Sequence, residues 1–164
     1  MNLRLDHDLD PVLNVTVTGE TAIKPSEDVQ KVIRCLINTI NGGDQSVKRN
    51  YVVVKTKGLL ALHHIRVGIK LRHSARVLQR LVEYNRDGNS TWFLLNKQAA
   101  YCGIIAIVES WHESSLGPIK VTIQSSDLDR LLTWLIPPVI KVGENKFHGS
   151  ELKTGDTFAR SKKY

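Results

Sequence analysis

With 164 residues, 41% of them hydrophobic, the chain has the size and apolar content of one domain with a substantial core. Its two cysteines, Cys35 and Cys102, have no metal-type spacing, which excludes a disulfide-stapled scaffold and a zinc ribbon. No stretch has the pattern of a signal peptide or the length of a membrane span, so the sequence predicts a reduced, cytoplasmic protein. The formal net charge of +7 is local: residues 51–100 hold nine Lys/Arg against two Asp/Glu, residues 1–50 six against seven, and residues 101–164 eight against seven. A local excess is what an anion-binding surface needs, with a solvated helix face as the plainer alternative.

From Val12 to Thr18, Leu13, Val15 and Val17 alternate with Asn14, Thr16 and Thr18, which predicts a strand with one face open to water. Lys24-Pro25-Ser26-Glu27-Asp28 predicts a helix start: Ser26 can cap free amides, and the two acids suit the positive end of the macrodipole. Val29, Val32, Ile33, Leu36, Ile37 and Ile40 then recur at helical spacing, a core-facing stripe that ends before Asn41-Gly42-Gly43. Tyr51 to Lys55 is rich in β-branched residues and predicts a second strand.

Beyond Gly58 a long helical region is expected from about Leu59 to Arg86, with Gly68 as the candidate break. In its second part Val67, Leu71, Ala75, Leu78 and Val82 share one face. Arg66, Lys70, His73 and Arg80 occupy the opposite one, with Arg76 at its edge. Asp87-Gly88-Asn89 reads as a turn, followed by strands near Thr91 to Leu95, Ile104 to Val108 and Ile119 to Ile123. The second of these is apolar throughout and is expected to be covered on both faces. Ser126 and Asp127 open a last helix carrying Leu128, Leu131, Leu132, Leu135 and Ile136, which Pro137-Pro138 closes.

The predicted order is β-α-β-α-β-β-β-α, a two-layer α+β sandwich with helices on one side of a mostly antiparallel sheet. It forms a single domain over residues 12–138, between a flexible N-terminus (1–11) and a polar, basic-ended tail (139–164).

Two motifs carry a resemblance. Gly88-Asn89-Ser90-Thr91 with Phe93-Leu94-Leu95-Asn96-Lys97-Gln98-Ala99-Ala100, and Ser115-Leu116-Gly117-Pro118-Ile119-Lys120-Val121-Thr122-Ile123, closely resemble an uncharacterised archaeal protein family. That family is related to predicted archaeal RNA-binding proteins once proposed as exosome-associated subunits. Pro25-Ser26-Glu27-Asp28 and the run from Asp127-Leu128 to Trp134-Leu135 extend the match over roughly residues 12–138. The resemblance implies a fold similar to that of the ribosomal protein that binds 5S RNA, and it implies RNA binding. Where the family usually has an acid before Ala-Ala-Arg, this chain has His73-Ser74-Ala75-Arg76; the family's acid before the late Trp is Thr133, and its usual Ala before Pro is Ile136. Losing both acids favours an anion binder over an acid-base catalyst.

The expected function is therefore binding of structured RNA without catalysis. Arg66, Lys70, Arg76 and Arg80 are assigned to track the phosphate backbone. Lys97 is assigned to phosphate, and Asn96 and Gln98 to a base edge or sugar, because a polar triplet between apolar runs needs partners; irregular backbone at a strand crossing could equally supply them. Among possible stacking residues, Trp92, Phe93, Tyr101 and Trp111, the last is expected to be the most exposed. No cofactor and no metal is expected. His63, His64 and His73 lack ligand spacing, and Asp6, Asp8 and Asp10 lack the Gly and Glu of a calcium loop. Two rival readings stand: a homodimeric interaction module joined through sheet edges, and a small-molecule enzyme using Glu109, His112 and Glu113.

Overall fold

The computed structural model describes residues 12–138; both predicted flexible ends, with Asp6, Asp8 and Asp10, lie outside the described residues. Strand β1 (Thr16–Ala22) is followed by helix α1 (Val29–Thr39), β2 (Asp44–Val47), β3 (Tyr51–Lys57) and a 3₁₀ turn (Leu59–Leu62). Helices α2 (His63–Leu71) and α3 (Ala75–Tyr84) lead to β4 (Ser90–Asn96), the short α4 (Lys97–Tyr101), β5 (Ile107–Val108), β6 (Pro118–Gln124) and α5 (Leu128–Leu135). The six strands form one open antiparallel sheet in the order β2-β3-β1-β6-β4-β5. It is the α+β architecture expected from the sequence.

Strand alternation sends one set of residues under the helices. Val17, Val52, Val54, Val121, Ile123, Phe93 and Leu95 are fully buried there, packed with Leu36, Ile65, Ile69, Leu78, Val82 and Leu131. Each such side chain contributes about 1.5–3 kcal/mol when fully buried. Gly19 sits in the middle of β1 because α1 crosses directly above it: a Cβ there would lie 2.4 Å from Ile40 Cδ1.

Several elements differ from the sequence expectation, each for an identifiable reason. Leu13 and Val15 are buried as the alternation implies, but Asn14 adopts φ 46° and the strand begins only at Thr16. Asp28, rather than Ser26, caps α1, its carboxylate accepting from the Gln30 amide at 2.8 Å. The buried stripe of α1 is Val32, Cys35, Leu36 and Thr39, whereas Val29 and Ile37 are exposed. The helix is turned toward α4, where the Asn38 amide donates to the Ala100 and Tyr101 carbonyls, and small Cys35 and Thr39 suit that close contact. Strand β2 has no hydrophobic period at all, since every residue in it is exposed; only pairing with β3 defines it.

The helical region does not break at Gly68. A Cβ on Gly68 would stand 2.5 Å from Ile105 Cβ, so glycine admits the 103–106 segment against α2. The break comes at His73, whose φ of 52° ends α2, with Arg72 and Ser74 amides donating back to Gly68 and Ile69 carbonyls. The apolar face therefore restarts. Val67 and Leu71 are exposed while Leu62, Ile65 and Ile69 are buried, and Leu78 and Val82 keep their expected place in α3. Of the predicted Ile104–Val108 strand, Ile107 and Val108 form the ladder with β4 and the Ala106 carbonyl accepts from the Asn96 amide at 2.9 Å; Ile104 is exposed, and Ile105 is taken up by the contact with Gly68.

Candidate nucleic-acid interface

The Asn96-Lys97-Gln98 triplet sits where β4 turns into α4. Asn96 is the helix cap, its Oδ1 accepting from the Ala99 amide at 2.8 Å. Lys97 is 2% exposed, its ammonium donating to Ala22 O at 2.7 Å, to Leu116 O at 2.8 Å and to the Glu27 carboxylate, whose two oxygens lie 3.1 Å away. An ammonium has three N–H donors, and these acceptors occupy all of them. No donor is left for phosphate, which corrects the assignment of Lys97 as a phosphate contact. Its charge is tolerated inside because it is paired and fully hydrogen-bonded. Glu27 also accepts from the Lys24 amide at 2.8 Å, so one buried ion pair joins the end of β1, the turn before α1 and the loop before β6.

Gln98 is exposed, at the rim of a cavity of about 310 Å³ shared with Ser26, Asp28, Lys31, Cys35 and Tyr101. None of the predicted helix cations lines that cavity, so the triplet and the basic helix form no common pocket. Burial pushes the Cys35 thiol above its ordinary value more strongly than the nearby Lys97 charge lowers it.

The nine Lys/Arg of residues 51–100 have separate fates. Lys97 is internal; Arg86 pairs with Asp129 and holds that carboxyl below its usual range, chiefly by hydrogen bonding. Arg80 pairs with Glu109. The Arg66 guanidinium lies 4.4 Å from the centre of the Trp134 ring, half-buried on the helix layer. Lys70, Arg72 and Arg76 are exposed around the α2–α3 junction, with Arg80 one turn beyond Arg76 on the same helix. Lys55 and Lys57 are exposed on β3.

Among the described residues the other sheet face carries no helix, and it has a different chemistry. Thr16, Thr18 and Glu20 of β1 stand beside Lys57, Lys55 and Val53 of β3, and beside Gln124, Thr122 and Lys120 of β6. Lys120 Nζ lies 4.9 Å from the Trp92 ring centre and 4.0 Å from Glu20; Trp92 in turn lies 6.2 Å from Trp111. Lys48 covers the ring of Tyr51 at 5.4 Å. Where β1, β3 and the loop before β6 meet, a cavity of about 530 Å³ is lined by Lys24, Asn50, Tyr51, Trp111, His112 and Lys120 among others.

Trp111 is 49% exposed, in line with its expected place in an open loop, whereas Phe93 is buried in the core. The sequence reading missed Tyr51 and Lys120 as site residues, because β3 and β6 come together only through β1 between them. Among the described residues no cluster of His, Cys, Asp and Glu could hold a metal ion, and the His64 ring bonds the Gly103 carbonyl at 3.0 Å. Glu109, one of the acid-base candidates, is engaged by Arg80. No helix among the described residues is long and apolar enough to cross a membrane.

An open antiparallel sheet backed by helices, with cations and aromatics at its surface, is the framework that a family model described as RNA binding matches over residues 16–125. The chain belongs to that family, and the relatives it resembles are archaeal UPF0201 proteins. The one from Sulfurisphaera tokodaii is 37% identical over 130 residues, covering 74% of this chain and 87% of the relative. That from Thermococcus onnurineus is 30% identical over 125 residues, covering 74% and 90%. The crystal structure of the UPF0201 protein from Methanococcus jannaschii has the same fold, with a TM-score of 0.64 at 23% identity, covering 74% of this chain and 99% of that one.

Proposed function

We propose that this protein binds structured RNA and performs no chemistry on it, holding phosphates on the exposed cations of α2 and α3. The observation that carries this reading is the fate of the central charge. Arg66, Arg80, Arg86 and Lys97 are engaged by side-chain partners, while Lys70, Arg72 and Arg76 crowd the junction of two helices in the open. Arg80 joins them, since an exposed ion pair is weak enough for phosphate to displace. Arg66 is better placed to anchor α2 on Trp134 than to reach outward. Asn96 caps a helix and Gln98 stands apart by its own cavity, so neither belongs to this surface.

Replacing Lys70, Arg72 and Arg76 together by alanine is the test. RNA affinity falls, its salt dependence flattens and the melting temperature stays close to that of the wild type, because exposed charges contribute little to folding. Unchanged affinity moves the phosphate contacts to another surface. Of the two sheet edges, β2, whose four residues are all exposed, suits the homodimer reading better than the two-residue β5; a monomer in sedimentation at working concentration removes it.

A further inference from the structure

Resting on that RNA-binding reading, we propose that the cavity on the open sheet face takes an unpaired nucleobase of the same RNA, stacked on Trp111 and Tyr51 with its flanking phosphates on Lys24 and Lys120. The cavity, about 530 Å³, falls in the range of sites that enclose small ligands. Its two aromatic walls are 49% and 39% exposed, for Trp111 and Tyr51 respectively, so both rings have area to cover. Stacking on such rings is sequence-tolerant, because every base has a π-face.

Charge selects the occupant. Lys24 and Lys120 line the cavity and Lys48 stands over Tyr51, and among the described residues the one carboxylate lining it is that of Glu20, which already lies 4.0 Å from Lys120. A cationic rim around aromatic walls suits a polyanion with flat apolar groups. Asn50 and His112 add hydrogen-bonding groups at the same cavity for a base edge. A paired base cannot enter, since its faces are stacked and its pairing edge is occupied; loops, bulges and single strands present both.

The chain segments between the two rings are tied together by hydrogen bonds. Lys97 ties the Ala22 and Leu116 carbonyls to one ammonium, and the Thr21 hydroxyl donates to Pro118 O at 3.1 Å. Thr21, Ala22, Gly117 and Pro118 all line the cavity. Lys97 is thus a positioning residue for this site, and the cost of ordering the strand ends it ties together is met during folding rather than on binding.

The experiment titrates wild type, Trp111→Ala, Trp111→Phe and Tyr51→Ala with a short single-stranded oligoribonucleotide of mixed sequence and with the same sequence as a duplex. Single-stranded RNA quenches the tryptophan emission of the wild type. Trp111→Ala and Tyr51→Ala each lose about tenfold in affinity for the single strand, the worth of one stacked base, and bind duplex as before. Trp111→Phe keeps most of the wild-type affinity, which separates stacking from loss of fold. If Trp111→Ala binds single strand as tightly as wild type, the cavity site is wrong and the helix-surface reading stands. An equal loss on duplex also overturns it. If wild type binds neither RNA, both readings fall. Self-association abolished by Trp111→Ala, without quenching by RNA, would assign the face to a second copy of the chain and overturn the proposal.

Discussion

Trp92 and Phe93 are neighbours in β4 with opposite fates. Phe93 is fully buried among the aliphatic side chains beneath the helices, while Trp92 lies on the open face, 6.2 Å from Trp111 with Lys120 above its ring. The same division runs across the sheet: Val17, Val121 and Leu95 face the helices, and Thr18, Lys120 and Trp92 face outward. A face that only had to stay soluble could be built from Thr, Lys and Glu. The open face instead keeps two tryptophans and a tyrosine beside its lysines, the groups on which the proposed base site rests.

Lysines divide in the same way. Lys97 spends its charge on internal carbonyls and Glu27, whereas Lys70 and Lys55 stand in solvent. One kind holds the fold and the other is available to a partner.

The largest expected effect tests that division. Lys97→Met leaves the Glu27 carboxylate in its pocket without a counterion and should cost about 3–5 kcal/mol in chemical denaturation. A near-unchanged midpoint would show that the cation is not needed to hold the three segments together. Phe93→Ala and Trp92→Ala sharpen the comparison of the two faces. The first should lose about 3–5 kcal/mol by opening the core, the second clearly less, and equal losses measured by urea melts would erase the distinction. A smaller effect is expected at Asn96, where alanine removes the helix cap of α4 and should cost about 1 kcal/mol. Single-stranded RNA affinity, read on the same Asn96→Ala preparation, should change little, since the cap lines neither cavity.

The helix-covered face was legible in the sequence because alternation and helical spacing record burial directly. Leu78 and Val82 of α3, Leu128, Leu131 and Leu135 of α5, and the inward residues of β4 and β6 stand where their spacing puts them. Strand β2 was not legible, since Asp44-Gln45-Ser46-Val47 is exposed on both faces and becomes a strand only by bonding to β3. The helix break was misplaced because glycine is the usual mark of one, yet Gly68 serves close packing and His73 takes the left-handed turn.

The site was less legible than the fold. Lysine is seldom buried, and the partners that hold Lys97 inside come from residues 22, 27 and 116, far away in the chain. The exposure of Trp111 could be read from its polar loop. Its meeting with Tyr51 and Lys120 at one cavity depends on strand order, which no local pattern encodes.

The decisive measurement is the affinity of the wild-type protein for RNA across a salt series, repeated with Lys70, Arg72 and Arg76 all replaced by alanine. If the exposed cations of α2 and α3 hold the phosphates, log affinity falls steeply with log salt for the wild type. The slope is then shallower by about two to three in the variant, roughly 0.7 to 0.9 for each of the three phosphates no longer neutralised. Binding that ignores salt, or a variant with the wild-type slope, would contradict phosphate binding by these helices.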